Sequence, residues 1–247
     1  MPDVVGFRAK MGVIIPSTNT VVESDFWDMR IPGVTFHTGR IYIGQPNLSS
    51  DADMEKLLAQ VQTAIEIAVR DAMTCQPDYL VMGMSAPTFW GGMEGSQRFT
   101  EKIQKLSGLQ ISMGSDACRA ALEKYKAKKI AVFTPYQPIM REQIVKYFQD
   151  CGLQVVRYKD LRCPSATAIA EITPAELRPV LKELDGPDLD AIVQCGTNLS
   201  MIRLAAEAEG WLGKPVIAIN TATLWQAYRT NGFLDKLYGF GSLLSDY

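Results

Sequence analysis

The stretch that decides how this chain is read is Asp190–Ser200, DAIVQCGTNLS. Ala191–Val193 is an apolar run of the kind that forms a buried parallel strand. It ends in Gln194-Cys195-Gly196-Thr197-Asn198, and a helical pattern (Leu199, Ile202, Leu204, Ala205) starts directly afterwards. Open α/β sheets place their chemistry at the carboxyl ends of strands, so Cys195 stands where a reactive group is expected. A thiol facing the first turn of a helix is also shifted towards thiolate. Against this stands the usual fate of a free cysteine, a small buried hydrophobe.

Working outward, the same strand-then-polar-loop unit recurs. Met11–Ile15 is an apolar run stopped by Pro16 and followed by Ser17-Thr18-Asn19-Thr20, with a helix expected from Val21-Val22-Glu23. Val34–Ile43 reads as extended, and Ser50 or Asp51 caps a long amphipathic helix through Ala68. Tyr79–Met82 is a buried strand ending in Gly83-Met84-Ser85-Ala86-Pro87-Thr88. A glycine-rich loop at Phe89–Gly92, a helix near Gly95–Leu106, a strand at Leu109–Met113 and a helix capped by Ser115 or Asp116 complete the first half.

The pattern then restarts with the strand Lys129–Phe133, stopped by Thr134-Pro135-Tyr136. A helix (Ile139–Phe148), a strand (Leu153–Tyr158) and a helix capped by Thr173 and opened by Pro174 lead to the Cys195 strand. Pro215–Ile219 is the last strand, with Asn220 or Thr221 capping the helix behind it. Alternating strands and helices imply parallel sheets with right-handed crossovers. The fold expected is α/β: two similar Rossmann-like lobes related by a pseudo-two-fold, with the active-site cleft between them. Residues 1–115, completed by the C-terminal segment 216–247, form one lobe and residues 116–215 the other.

Composition narrows the function classes. The chain has 247 residues, 47% of them apolar, and 25 basic against 27 acidic residues leave a net charge of −2. No basic stripe invites nucleic acid, and no apolar run approaches the ~20 residues of a membrane span. The N-terminal sequence lacks a signal-peptide core, so a cytoplasmic protein is expected, with a homo-oligomer left open. Five cysteines (Cys75, Cys118, Cys151, Cys163, Cys195) and one histidine, His37, show no metal-ligand spacing, so no metal and no disulfide framework is expected. Neither G-x-G-x-x-G after a strand nor G-x-x-x-x-G-K-[ST] is present, so no nucleotide cofactor is expected.

Four polar loops would meet in the cleft: Pro16–Thr20, Gly83–Thr88, Thr134–Tyr136 and Cys195–Asn198. Three run into expected helix N-termini, whose free N–H groups make anion cups. Their side chains (Ser17, Thr18, Asn19, Ser85, Thr88, Tyr136, Thr197, Asn198) are short and neutral, which suits a small carboxylate better than a phosphate. Each taken singly is equally a helix cap or turn residue. Arg40 and Arg203 are cations within reach of an anion, though no spacing demands it. Cys118 and the remaining cysteines are expected to be structural.

Pro16-Ser17-Thr18-Asn19-Thr20, Gly83–Ser85, Tyr136 and Cys195-Gly196-Thr197-Asn198 resemble the motifs of the aspartate/glutamate racemase superfamily. Within it the chain is most similar to arylmalonate decarboxylases and maleate cis-trans isomerases. The ending Tyr238-Gly239-Phe240-Gly241-Ser242-Leu243-Leu244 is decarboxylase-like, whereas the Pro-Ser-x-Asn-Thr loop is isomerase-like. The resemblance implies cofactor-independent chemistry with two opposed cysteines in racemases and maleate isomerases. Here the second position is Cys195 and the first is Gly83. Glycine first and cysteine second is the decarboxylase pattern, which implies loss of carbon dioxide from a substituted malonate and protonation of one enediolate face by Cys195.

Carried over in the same way, Ser85, Tyr136 and the Gly196 N–H hold the retained carboxylate. Met84 replaces a decarboxylase threonine, and Asn19 and Asn198 are isomerase-like amides. Met84, Phe89 and Trp90 are candidates for an apolar wall, with plain packing the competing reading. A proton donor must stay protonated, so burial of Cys195 is expected to offset the helix dipole. A maleate-type isomerase is the alternative function, and a non-catalytic carboxylate-binding protein the second.

Overall fold

The structure, a computed structural model, describes residues 3–247. Its first half runs β1 (Ala9–Pro16), α1 (Val22–Asp28), β2 (Val34–Ile41), α2 (Asp51–Met73), β3 (Tyr79–Met82), the single turn α3 (Ala86–Phe89), α4 (Gly92–Ser107), β4 (Ile111–Ser112) and α5 (Gly114–Lys124). The second runs β5 (Lys129–Thr134), α6 (Ile139–Asp150), β6 (Gln154–Asp160), α7 (Pro174–Leu184), β7 (Ala191–Gln194), α8 (Ile202–Leu212), β8 (Val216–Ala218), α9 (Ile219–Thr230) and α10 (Ser242–Asp246).

Each half holds a four-stranded, all-parallel sheet in the same order: β2-β1-β3-β4 and β6-β5-β7-β8. The central strands are the most apolar, as parallel sheets covered on both faces require, and every residue of β1 is buried. Met11 pairs with Phe36 on one side and Tyr79 on the other; Val132 pairs with Tyr158 and Val193 in the same way. The strand ends of β1, β3, β5 and β7 therefore point their following loops to one place.

Local signals set most boundaries. Ser50 Oγ accepts the Asp53 N–H at the start of α2, whose apolar stripe (Met54, Leu57, Leu58, Val61, Ile65, Ala68) is buried. Thr173 and Glu176 close a reciprocal capping box on α7, with Pro174 at the first helical position. Two expected caps are not made. Ser115 lies inside α5 and shares a hydrogen bond with Ser96 (3.0 Å), and α9 begins at Ile219 with no side-chain cap. The expected lobe limits also shift. Residue 115 falls within the first turn of α5, and Val216–Ala218 pairs with β7, so it belongs to the second sheet rather than the first. The chain returns to the first half at Ile219: α9 packs on α5, on α1 and against β3 and β4.

Candidate functional site

The loops after β1, β3, β5 and β7 enclose a small cavity of about 30 Å³. Its lining takes Pro16, Thr18 and Asn19 from the first loop, Met84 from the second, Tyr136 from the third, and Thr197 and Asn198 from the fourth. Leu48, Leu57, Ala166 and Ile169 close it over. Those four were missed in the sequence because they lie beyond the loops next to the motifs. Leu48 and Ala166 follow the edge strands β2 and β6, at matching places in the two halves. The two segments are zipped together: Leu48 N donates to Pro164 O, Ala166 N donates to Pro46 O, and Asn47 bridges Ser165. A volume of this size suits one or two waters.

The expected anion cups are filled by the chain itself. Asn19 Oδ1 accepts both the Val21 and Val22 N–H groups (3.0 Å each), which occupies the start of α1. Asp51 Oδ1 accepts Ile139 N–H at 2.9 Å and occupies the start of α6. Cys195 does not face a helix turn either, because α8 starts only at Ile202. Its protonation state is set by burial instead. The thiol is fully buried, its side chain contacts that of Cys118 on α5, and desolvation drives its pKa well above the ordinary thiol value, with Cys118 adding to the rise. Cys195 is therefore a neutral S–H at neutral pH, the form a proton donor needs. The contact with Cys118 was not readable from the sequence, since nothing in helical spacing says which strand end α5 will cross.

The Tyr136 and Ser85 hydroxyls share a 2.5 Å hydrogen bond, and the Ala86 N–H also reaches the phenol oxygen. Burial raises the Tyr136 pKa, so it stays a neutral donor. Together these make a compact cluster of uncharged donors within the electrostatic reach of Cys195. At the equivalent place after β3, Gly83 offers nothing. A Cβ added there would lie 2.3 Å from Ile15 Cγ2 and 3.0 Å from Val22 Cγ1, so two apolar side chains already fill the space of a first cysteine.

Other expected residues sit elsewhere. Ser17 Oγ accepts the Ile43 N–H (3.0 Å), bracing the end of β2 rather than lining the cavity. Gly196 packs on Pro135 so tightly that an added Cβ would lie 2.4 Å from its ring, and its carbonyl accepts from Gln194 Nε2 at 2.6 Å. Phe89 belongs to an aromatic core cluster with Tyr147 and Phe148. Trp90 lines a separate groove between α2 and α4. Arg40 pairs with Glu23 and donates to the Ser17 and Asn19 carbonyls; Arg203 stacks on Phe240 and pairs with Asp28. His37 bonds Thr35. Among the described residues no group of three His, Cys, Asp or Glu could hold a metal ion, and no helix is long and apolar enough to cross a membrane.

The cleft also carries the contacts between halves. Asn198 Oδ1 accepts the Thr20 N–H at 3.0 Å, while its Nδ2 donates to Ala166 O at 2.9 Å. Asn19 Nδ2 reaches Thr197 Oγ1 at 3.5 Å. The two isomerase-like amides thus serve here as struts across the cleft.

Comparison with known proteins agrees with this architecture. A maleate isomerase of Pseudomonas putida is 26% identical over 96% of this chain and 97% of its own. A solved Nocardia farcinica maleate cis-trans isomerase, carrying a covalent succinylcysteine intermediate, superposes with a TM-score of 0.87 at 22% identity (96% and 98% of the two chains). A liganded arylmalonate decarboxylase variant, with a glycine changed to cysteine and a cysteine to serine, gives 0.80 at 20% identity (96% and 99%). At such identities the structural matches speak for the fold. The family model for arylmalonate decarboxylase matches residues 11–244, nearly the whole chain, and the chain belongs to that family.

Proposed function

We propose that this chain is a cofactor-independent enzyme that removes carbon dioxide from a small substituted malonate and delivers one proton from Cys195. The observation that carries the reading is the occupied space at Gly83. The Nocardia isomerase variant holds its succinyl group on a cysteine although another cysteine had been changed to serine, so that enzyme naturally has both. The decarboxylase variant has a glycine changed to cysteine and a cysteine changed to serine, so that enzyme naturally has glycine in one place and cysteine in another. Gly83 with Cys195 matches the second arrangement, and Ile15 and Val22 leave no room for a thiol at position 83.

In this mechanism the retained carboxylate lies against the Ser85–Tyr136 hydroxyls, which strengthen their hydrogen bonds as negative charge moves onto it. The other carboxylate faces Met84, Leu48, Leu57 and Ile169, where it is poorly solvated. Breaking its carbon–carbon bond releases carbon dioxide and leaves the bonding pair in an enediolate. Cys195 transfers its S–H proton to one face of that carbon, and the resulting thiolate takes a proton from water that enters as the product leaves. Because the thiol starts neutral, no prior base is needed.

A second reading has its own support. The relatives include several maleate isomerases, and overall similarity to them is higher, so maleate-type cis-trans isomerisation fits the comparisons better than decarboxylation does. The test is direct: incubate the protein with a panel of mono- and disubstituted malonates and, separately, with maleate. Carbon dioxide release that disappears in Cys195→Ala supports the first reading; fumarate formation from maleate replaces it with the second. Carboxylate binding without turnover, unchanged by Cys195→Ser, leaves a binding protein.

A further inference from the structure

Outside the cavity, one buried carboxylate is wired to its wall. Asp25, on α1, is only 5% exposed. Its Oδ2 accepts from Asn220 Nδ2 at 2.7 Å, and the same nitrogen donates to the Thr197 carbonyl at 2.9 Å. Asn220 stands in the first turn of α9, the helix that returns from the second sheet to the first. One amide nitrogen thus spends both of its hydrogens at once, on an acceptor from the first half and on the loop that carries Cys195. The amide oxygen of Asn220 is buried and has no hydrogen-bond partner.

We propose that Asp25 is a positioning residue that, through Asn220, fixes the Thr197 carbonyl and with it the Cys195–Asn198 loop at the wall of the cleft. An ionised carboxylate only accepts, so Asp25 decides which way the Asn220 amide is turned. Without it the amide could flip, and the Thr197 carbonyl would face an oxygen. A buried acceptor-only group is costly unless it is hydrogen-bonded, and Asp25 is the one polar side chain of α1 buried beside Val22 and Phe26. The charged groups that face Asp25 are Asp28 on its own helix and Arg203 on α8; α9 presents Asn220. On the flanking elements, Arg40 of β2 is engaged with Glu23, His37 with Thr35, and Tyr228 of α9 with the Met29 carbonyl. Burial chiefly, with Asp28 in support, raises the Asp25 pKa to about 7, against the opposing pull of Asn220 and Arg203. The strut is therefore strongest when Asp25 is ionised, above neutral pH.

The inference borrows the proposed function only for its kinetic readout, so the test is run on two independent signals. Asp25→Leu and Asn220→Ala are each expected to raise amide hydrogen exchange across residues 195–199 by roughly tenfold or more, the loss of one charge-assisted hydrogen bond. The double variant should exchange no faster than either single one. Asp25→Asn keeps an acceptor and loses the charge, so its loop should stay protected. In turnover, wild-type kcat/KM is expected to rise through about pH 7, and Asp25→Asn to lose that limb while keeping activity within a few-fold. Additive effects of Asp25→Leu and Asn220→Ala on exchange, or a pH limb preserved in Asp25→Asn, would overturn the assignment. Should Asp25→Leu not fold, Asn220→Ala and the Asp25→Asn profile still decide it. Absence of turnover on both substrate panels sinks the proposed function, and the exchange data still judge the strut.

Discussion

The two strand ends after β3 and β7 occupy equivalent positions in sheets of identical order, yet one is chemically silent and the other carries the thiol. After β7, Cys195 is sealed from water and touched by Cys118. After β3, the chain has Gly83, and Ile15 and Val22 fill the volume a side chain would need. The difference teaches that a duplicated scaffold supplies two opposed positions but not two opposed acids. Whether the second position can take a side chain depends on a few apolar neighbours. The proposed one-sided proton delivery rests on that asymmetry, and each test below attacks one side of it.

The largest effect is expected at the active side. Cys195→Ala should lower kcat by roughly 10²–10⁴-fold, the usual worth of a positioned general acid, with KM little changed. Steady-state kinetics on whichever substrate panel responds checks this; a loss below tenfold would take Cys195 out of the reaction.

The silent side can be made to speak. Gly83→Cys alone should destabilise the fold by about 1–3 kcal/mol, because its Cβ meets Ile15. Pairing it with Ile15→Ala opens the space and should recover part of that loss. With a thiol then on each face, the double variant should racemise a chiral product or exchange its α-proton faster than wild type. Denaturant unfolding reads the first part and proton exchange into deuterated water the second.

Much of this was legible in the sequence, and the misses have physical causes. The strands were visible because parallel sheets covered on both faces demand unbroken apolar runs such as Tyr79–Met82 and Ala191–Val193. The strand-end loops followed from them. Helix starts were less legible, since Ser115 and Asn220 look like caps yet spend their side chains on tertiary partners, Ser96 for one and Asp25 with Thr197 for the other. The roof of the cavity was hidden too: Leu48 and Ile169 are ordinary apolar residues, and only the tertiary zip between the segments after β2 and β6 brings them over the site. Cys118 and Asp25 share that origin. Both look structural in one dimension and become relevant through helices that cross between halves.

A titration separates the two helices that meet behind the cleft. Asp25 has a folded pKa near 7 against an ordinary value near 4, so the folded state holds its proton over that interval where the unfolded chain has released it. Stability therefore falls as pH rises from about 4 to about 7 and does not recover above it. Asp25→Asn removes the titration, so its Tm relative to wild type should be higher at pH 8 than at pH 4. Thermal melts at the two pH values measure this, and an equal difference at both would mean that Asp25 is not buried as described.

The smallest expected effects compare the two amides that span the cleft. Asn198 makes both of its bonds between segments, to Thr20 and to Ala166, whereas Asn19 spends its oxygen on the start of α1 and reaches across only weakly, at 3.5 Å. Asn19→Ala should therefore act as the loss of a helix cap, about 1 kcal/mol of stability with a modest change in KM. Asn198→Ala should cost a similar amount but shift KM several-fold, because it releases the loop beside Cys195 and the Ala166 side of the roof together. Measured side by side, a KM change confined to Asn198→Ala identifies that residue as the strut between halves. Equal KM changes would instead place both amides against the substrate, as the isomerase-like reading requires.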